Sequence, residues 1–153
     1  MGETDMMVGK KVAAALGGGI RPIVCVGEQE RDGDDIPAIV GEQVRAALAL
    51  VKKSDAACLL IAYEPVWAIS THENSRPDTP DNCLRAVLYI RKIVSELFGR
   101  TAADAMCILY GGSVRPENIR GFLDHGGAQG ALVGNASIDA DIFTTLILAA
   151  GRK

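Results

Sequence analysis

A single carboxylate, Glu64, interrupts an otherwise apolar run in the segment IAYEPVWAIS, residues 61–70. A glutamate at the end of a strand that otherwise reads as buried allows two readings. Either the strand has reached solvent, where a carboxylate costs little, or the residue is a base held at the mouth of an active site. Two later turns offer chemistry that would complement a base. YGGSVRPEN (110–118) supplies glycines whose N–H groups approach closely, the Ser113 hydroxyl and a helix start. LVGNASIDAD (132–141) supplies Gly134 and Asn135 just before another helix. Backbone donors of this kind bind phosphate without needing a positive side chain. Each turn alone also fits an ordinary tight turn, and their occurrence at consecutive strand ends is what points to an anion site.

The elements that must position these residues follow a regular cycle. Met7, Val8, Lys11, Val12 and Leu16 fall at helical spacing over 4–16, and GGG ends that helix. PIVCVGE (22–28) reads as a strand, apolar enough to be covered on both faces. A polar loop (29–35) leads to a helix over 37–51, carried by Ile39, Val40, Val44, Leu48 and Val51. CLLIAY (58–63) is the second strand, 70–80 a long polar loop and 80–98 a helix. That helix opens with Thr79 as N-cap and Pro80 in its first position, and Gly99 closes it. MCILY (106–110) is the third strand, RPENIRGFL (115–123) a short helix begun by Pro116, and GALVG (130–134) the fourth strand. Asp139 precedes a last helix running to about Ala150. Strands alternating with helices predict an α/β fold with a parallel sheet, in one domain over 1–153. In such folds ligands bind outside the carboxyl ends of the strands, so the turns after all four strands face one mouth.

Composition narrows the partners. Sixteen basic against nineteen acidic side chains give a net charge of −3 with no basic tract, which argues against nucleic acid and anionic membranes. No apolar run reaches membrane-spanning length, and the acidic start GETD is no signal peptide, so a cytoplasmic protein is expected. The four cysteines, at 25, 58, 83 and 107, lack any C-x-x-C pair. We expect reduced thiols, with Cys25, Cys58 and Cys107 buried in or beside strands. With only His72 and His125 beside them, no zinc constellation and no cofactor site is visible.

GETDMMVGKKVAAAL, PIVCVGE, AYEPVWAI, ILYGGSVRPEN and GALVGNASI together resemble successive segments of the triosephosphate isomerase family, in family order and over almost the whole chain. The resemblance implies a (β/α)8 barrel that interconverts two triose phosphates through an enediolate. By it, Glu64 matches the carboxylate base, and Ser113, Gly134 and Asn135 fall on phosphate-binding positions, Asn135 where a glycine is usual. Tyr110 matches the tyrosine that helps latch the closed loop, and Ser70 stands where that loop has glycine. The expected ligand is a small phosphorylated sugar, or phosphate or sulfate.

The resemblance begins after the family's histidine-bearing strand, so it implies half of a (β/α)8 barrel, the last four βα units. The asparagine and lysine near the family's first strand, and the histidine electrophile, have no counterpart here. Lys10 and Lys11 lie on the first helix, and His125 lies between a helix and a strand start; all point away from the mouth. His72 is the only imidazole in a mouth loop and reads as a solvated side chain. STHENSRPDTP (70–80) is longer and more polar than the family's lid, so it is not expected to close in the same way. A half-barrel leaves apolar edges and an uncovered inner face, which a homodimer, or a higher homo-oligomer, would close. Three functions remain open: an isomerase relative with little or no activity alone, one subunit of a split isomerase, or a non-enzymatic module that self-associates or holds a sugar phosphate.

Overall fold

The Thr4 hydroxyl accepts a hydrogen bond from Met7 N (3.3 Å) and so starts the first helix, α1 (Asp5–Gly17), as an N-cap. This computed structural model describes residues 2–31, 33, 35–71 and 75–151. The remaining helices are α2 (Ala38–Leu48), α3 (Pro80–Phe98), α4 (Arg100–Ala105), α5 (Ile119–Asp124) and α6 (Ala140–Gly151). Three strands, β1 (Ile23–Val26), β2 (Leu60–Tyr63) and β3 (Cys107–Tyr110), form a parallel sheet in the order β1-β2-β3. The predicted class, parallel strands alternating with helices, is therefore what forms.

The register aligns Val24, Ile61 and Ile108 in one row and Val26, Tyr63 and Tyr110 in the next but one. Successive side chains on a strand point to opposite faces, so these two rows share a face. All six residues are at most 3 % exposed, packed under the helices. The longest helix, α3, supplies the matching stripe: Cys83, Ala86, Val87, Ile90, Ile93, Val94 and Phe98 are buried at i, i+3, i+4 spacing. Thr79 caps it by accepting from Asn82 N (3.2 Å), with Pro80 in the first turn as expected. Tyr110 and Phe122 stack at 3.9 Å between ring centroids and carry α5 onto the same layer.

The other face is unevenly covered. Ile23 is 45 % exposed, Cys25 is exposed, and Leu60 and Cys107 are half-buried, whereas Ala62 and Leu109 are buried. This corrects the expectation for the thiols: among the four, only Cys83 is buried, and Cys58 lies exposed in a 3₁₀ turn over Lys53–Cys58. PIVCVGE was expected to be covered on both faces, but burial alternates along β1, with Ile23 and Cys25 exposed and Val24 and Val26 buried.

Four boundaries also differ from the sequence reading. The stretch 130–134 is no strand; Ala131 alone bridges to Tyr110, with Tyr110 N donating to Gly130 O (3.0 Å) and Leu132 N to Tyr110 O (2.9 Å). Glycines at both ends and a neighbour on one side only leave the ladder nothing to propagate against. Helix 115–123 starts instead at Ile119, because the Asn118 side chain accepts from Arg115 N (2.8 Å) and holds the preceding residues in a turn. The second strand loses Cys58 and Leu59 to the 3₁₀ turn and its exit. The unexpected α4 follows Gly99, whose φ of +89° turns the chain out of α3.

Candidate functional site

Glu64 is the first residue beyond β2, its N–H donating to Val26 O (2.7 Å). The neighbouring strand ends are shaped around it. A Cβ on Gly27 would stand 1.9 Å from Glu64 O, and one on Gly111 would stand 2.4 Å from Glu64 Cγ. Only glycine on each flank lets this half-buried glutamate lie between the ends of β1 and β3. The Cys25 thiol reaches the same carboxylate. Burial first, then the hydrogen bond and negative charge of Glu64, push that thiol up to about 12.

The chain then makes a 3₁₀ turn over Val66–Ala68 that hangs on a carboxylate the sequence reading left unassigned. Glu28 is 1 % exposed and accepts from Tyr63 Oη and Trp67 Nε1, both at 2.9 Å, while its carbonyl accepts from Val66 N (2.9 Å). Such donors are what a carboxyl group buried this deeply requires. The available signal was its place in PIVCVGE, a carboxylate directly after a buried strand, the same signal that drew attention to Glu64.

Beyond the turn, Ser70 N donates to Ser113 Oγ (2.7 Å) and Ser113 N donates to Ala68 O (3.1 Å). One hydrogen bond thus joins the two serines, and it leaves the Ser113 hydroxyl its own proton to donate. Ser70, Ser113, Gly134 and Asn135 line one cleft of about 900 Å³. That size suits a small molecule. Gly134 opens onto empty space, with nothing within 4 Å of where its Cβ would be. Glu64 does not line the cleft; Gly111 does, and it touches the Glu64 side chain on its other side.

Tyr110 is 1 % exposed, and its hydroxyl meets the Asp78 carboxylate in the return arm of the loop after β2. Burial and the Asp78 charge push its phenol well above the usual range. Asp78 is itself raised by burial, opposed by hydrogen bonds that include Thr79 N at 2.7 Å. His72 lies outside the described residues. His125 sits exposed at the end of α5, on the chain's way back to the far end of the sheet, and Lys10 and Lys11 are exposed on α1. Among the described residues no group of His, Cys, Asp and Glu could hold a metal ion. No helix among them is long and apolar enough to cross a membrane.

With this arrangement in view, the comparison with known proteins is decisive on ancestry. The sequence model of the family described as triosephosphate isomerase matches residues 1–150. The chain belongs to the triosephosphate isomerase family. The triosephosphate isomerase of Caldanaerobacter subterraneus subsp. tengcongensis is 44% identical over 95% of this chain and 58% of its own length. That of Roseiflexus sp. is 46% identical over 95% of this chain and 57% of its own, and that of Rhodopirellula baltica 40% over 98% and 59%. The chain thus spans somewhat more than half the length of the triosephosphate isomerases it matches.

Proposed function

We propose that this chain supplies the base and the phosphate-binding turns of a triose phosphate isomerisation site. One observation carries the reading. Ser70, Ser113, Gly134 and Asn135, drawn from three separate loops, line a single cleft whose Gly111 wall is packed against Glu64. In this reading the backbone of residues 134–135 and the Ser70–Ser113 pair hold the phosphate. Glu64 then moves a proton between the two carbons next to the carbonyl. Tyr110 steadies the return arm of the loop through Asp78.

Proton abstraction next to a carbonyl also needs a donor that stabilises the developing oxyanion. Among the described residues no lysine or histidine stands at the mouth: Lys52 and Lys53 precede β2, Lys92 is in α3, and His125 follows α5. A missing oxyanion donor costs about 100- to 1000-fold and a missing proton-transfer partner about 100- to 10,000-fold. By itself the chain should therefore turn over at least about four orders of magnitude more slowly than a complete site, the product of the two lower bounds.

A second reading concerns what completes it. Ile23 on β1 and Met6, Met7 and Ile20 around α1 are exposed on one flank, and Ile138, Ile142, Ile147 and Leu148 on the other. We propose that these flanks are covered by further βα units, from a second copy of this chain or from a polypeptide corresponding to the part of the relatives that it does not span. The assay is isomerisation of glyceraldehyde 3-phosphate by the purified chain, with and without that polypeptide. Phosphate binding, expected at about millimolar affinity, should be abolished by Ser113→Asp, which puts a negative charge into the site. Near-complete turnover by the chain alone, or unchanged phosphate binding in Ser113→Asp, would refute the reading.

A further inference from the structure

The return arm of the loop after β2 comes back against the outgoing arm at one residue, Arg76. Its N–H donates to Trp67 O (2.9 Å), its guanidinium lies over the Trp67 ring at 4.8 Å from the centroid, and its Nη2 donates to Arg31 O. Arg31 belongs to the connection between β1 and α2, so one side chain joins three stretches of backbone. The indole it covers is 6 % exposed and is held from its other end by Glu28, through Nε1. Trp67 is thus fixed twice, by a carboxylate that takes its N–H and by a cation on its ring face, where the aromatic quadrupole attracts positive charge.

What Trp67 fixes is the segment that ends in Ser70. Ala68 O accepts from Ser113 N and Ser70 N donates to Ser113 Oγ, so the outgoing arm is tied to the Gly-Gly-Ser turn at its far end. Arg76 closes the remaining side. It also lines, with Ser70, Ser113 and Arg115, a recess of about 270 Å³ beside the main cleft, in which Asp78 is the facing carboxylate. Its charge therefore stands near the place where an anion would meet the serine pair.

We propose that Arg76 is a positioning residue for the anion site: by bracing Trp67 against the β1–α2 connection it holds the Ser70 N–H against Ser113. This rests on the phosphate reading of Ser70 and Ser113 and adds the device that presents them. It also accounts for how a loop longer and more polar than the family's keeps its first residues in place. The brace acts on the outgoing arm and makes no contact with the reacting carbons.

Trp67 is the only tryptophan in the chain, so its emission reports the brace directly. The experiment records Trp67 emission and titrates inorganic phosphate at fixed ionic strength for the parent chain, Arg76→Ala, Arg76→Lys and Arg76→Gln. Far-UV circular dichroism melts check that each variant folds. Arg76→Ala should shift the emission and weaken phosphate about tenfold. Arg76→Lys should recover most of both, since it keeps a cation over the ring. Arg76→Gln, which keeps a donor for Arg31 O without the charge, should stay weak. Parent-like emission and affinity in Arg76→Ala, or a loss that lysine does not restore, would overturn the proposal while leaving the phosphate site standing. Absence of phosphate binding by the parent chain would instead remove the phosphate reading, and the positioning role with it.

Discussion

The two faces of the sheet are built from the same three strands and share their alternation, yet one is sealed and the other is partly bare, open along β1 and closed at Ala62 and Leu109. Val24 and Ile23 are consecutive residues of β1; Val24 is 3 % exposed and Ile23 45 %. The difference lies in what covers them: Val24 packs into the core cluster with residues of α2 and α3, and Ile23 does not. Hydrophobic burial follows from what is placed against a side chain and not from its own character alone. The comparison also separates stability from chemistry. The sealed face holds Tyr63, Tyr110 and the core, while the partly bare face carries Cys25, whose thiol meets Glu64.

The largest effect expected from this division concerns catalysis. If covering units complete the bare side, isomerase turnover should rise by at least about four orders of magnitude over the chain alone. Glu64→Gln should then remove about 100- to 10,000-fold of it, since it keeps the shape and deletes the base. Turnover that survives Glu64→Gln in the completed assembly would place the base elsewhere.

Consecutive residues allow a sharper test of the faces themselves. Val24→Asp buries an unpaired carboxylate among helices and should cost about 3–5 kcal/mol in denaturant unfolding. Ile23→Asp, one residue away, should change the stability of the isolated fold by no more than about 0.5 kcal/mol. Its effect should instead be on association, read as loss of the concentration dependence of the melting midpoint. Equal destabilisation by the two substitutions would erase the distinction.

Cys25 is exposed, yet it should react slowly. Its surroundings push the thiol from 9.0 up to about 12, so little thiolate is present at pH 8 and alkylation of Cys25 should be slow. Glu64→Gln removes the charge and its hydrogen bond but not the desolvation, so Cys25 should speed up in that variant. The sign for stability follows: the folded state keeps its proton over a range in which the unfolded thiol has lost it. Any stabilisation from this group is present below about 9 and fades as pH rises toward 12. A local effect is expected from Gly111→Ala, whose Cβ would stand 2.4 Å from Glu64 Cγ. It should displace the glutamate and cost about 1–3 kcal/mol in thermal unfolding.

Much of this was legible in the residues. Helical spacing located α1, and spacing with start signals located α3, to within a residue or so, because Thr79 and Pro80 act locally; the cap at Thr4 went unread. The turns that gather Ser70, Ser113, Gly134 and Asn135 were legible from position, at the ends of successive strands. Three features were not. Glu28 and Arg76 draw their roles from partners 39 and 45 residues away, and nothing local distinguishes a braced arginine from a solvated one. The stretch 130–134 reads as a strand, but a ladder belongs to a pair of strands and not to one sequence. The exposure of Cys25 depends on a covering layer, which strand periodicity cannot report.

Spatial order in the sheet repeats chain order, β1 beside β2 beside β3, with no strand inserted between earlier neighbours. Each βα unit therefore docks onto the one made just before it. Paired residues still stand 37 positions apart between β1 and β2 (23 to 60) and 47 between β2 and β3 (60 to 107), so these parallel pairings are non-local and slow to close. The order nevertheless lets assembly advance unit by unit as the chain leaves the ribosome. Because no connection has to be threaded back, units can be added at either flank without rewiring those in place, as in repeat proteins whose units touch only their neighbours. The sheet keeps that order past β3, where Ala131 of the following stretch bridges to Tyr110.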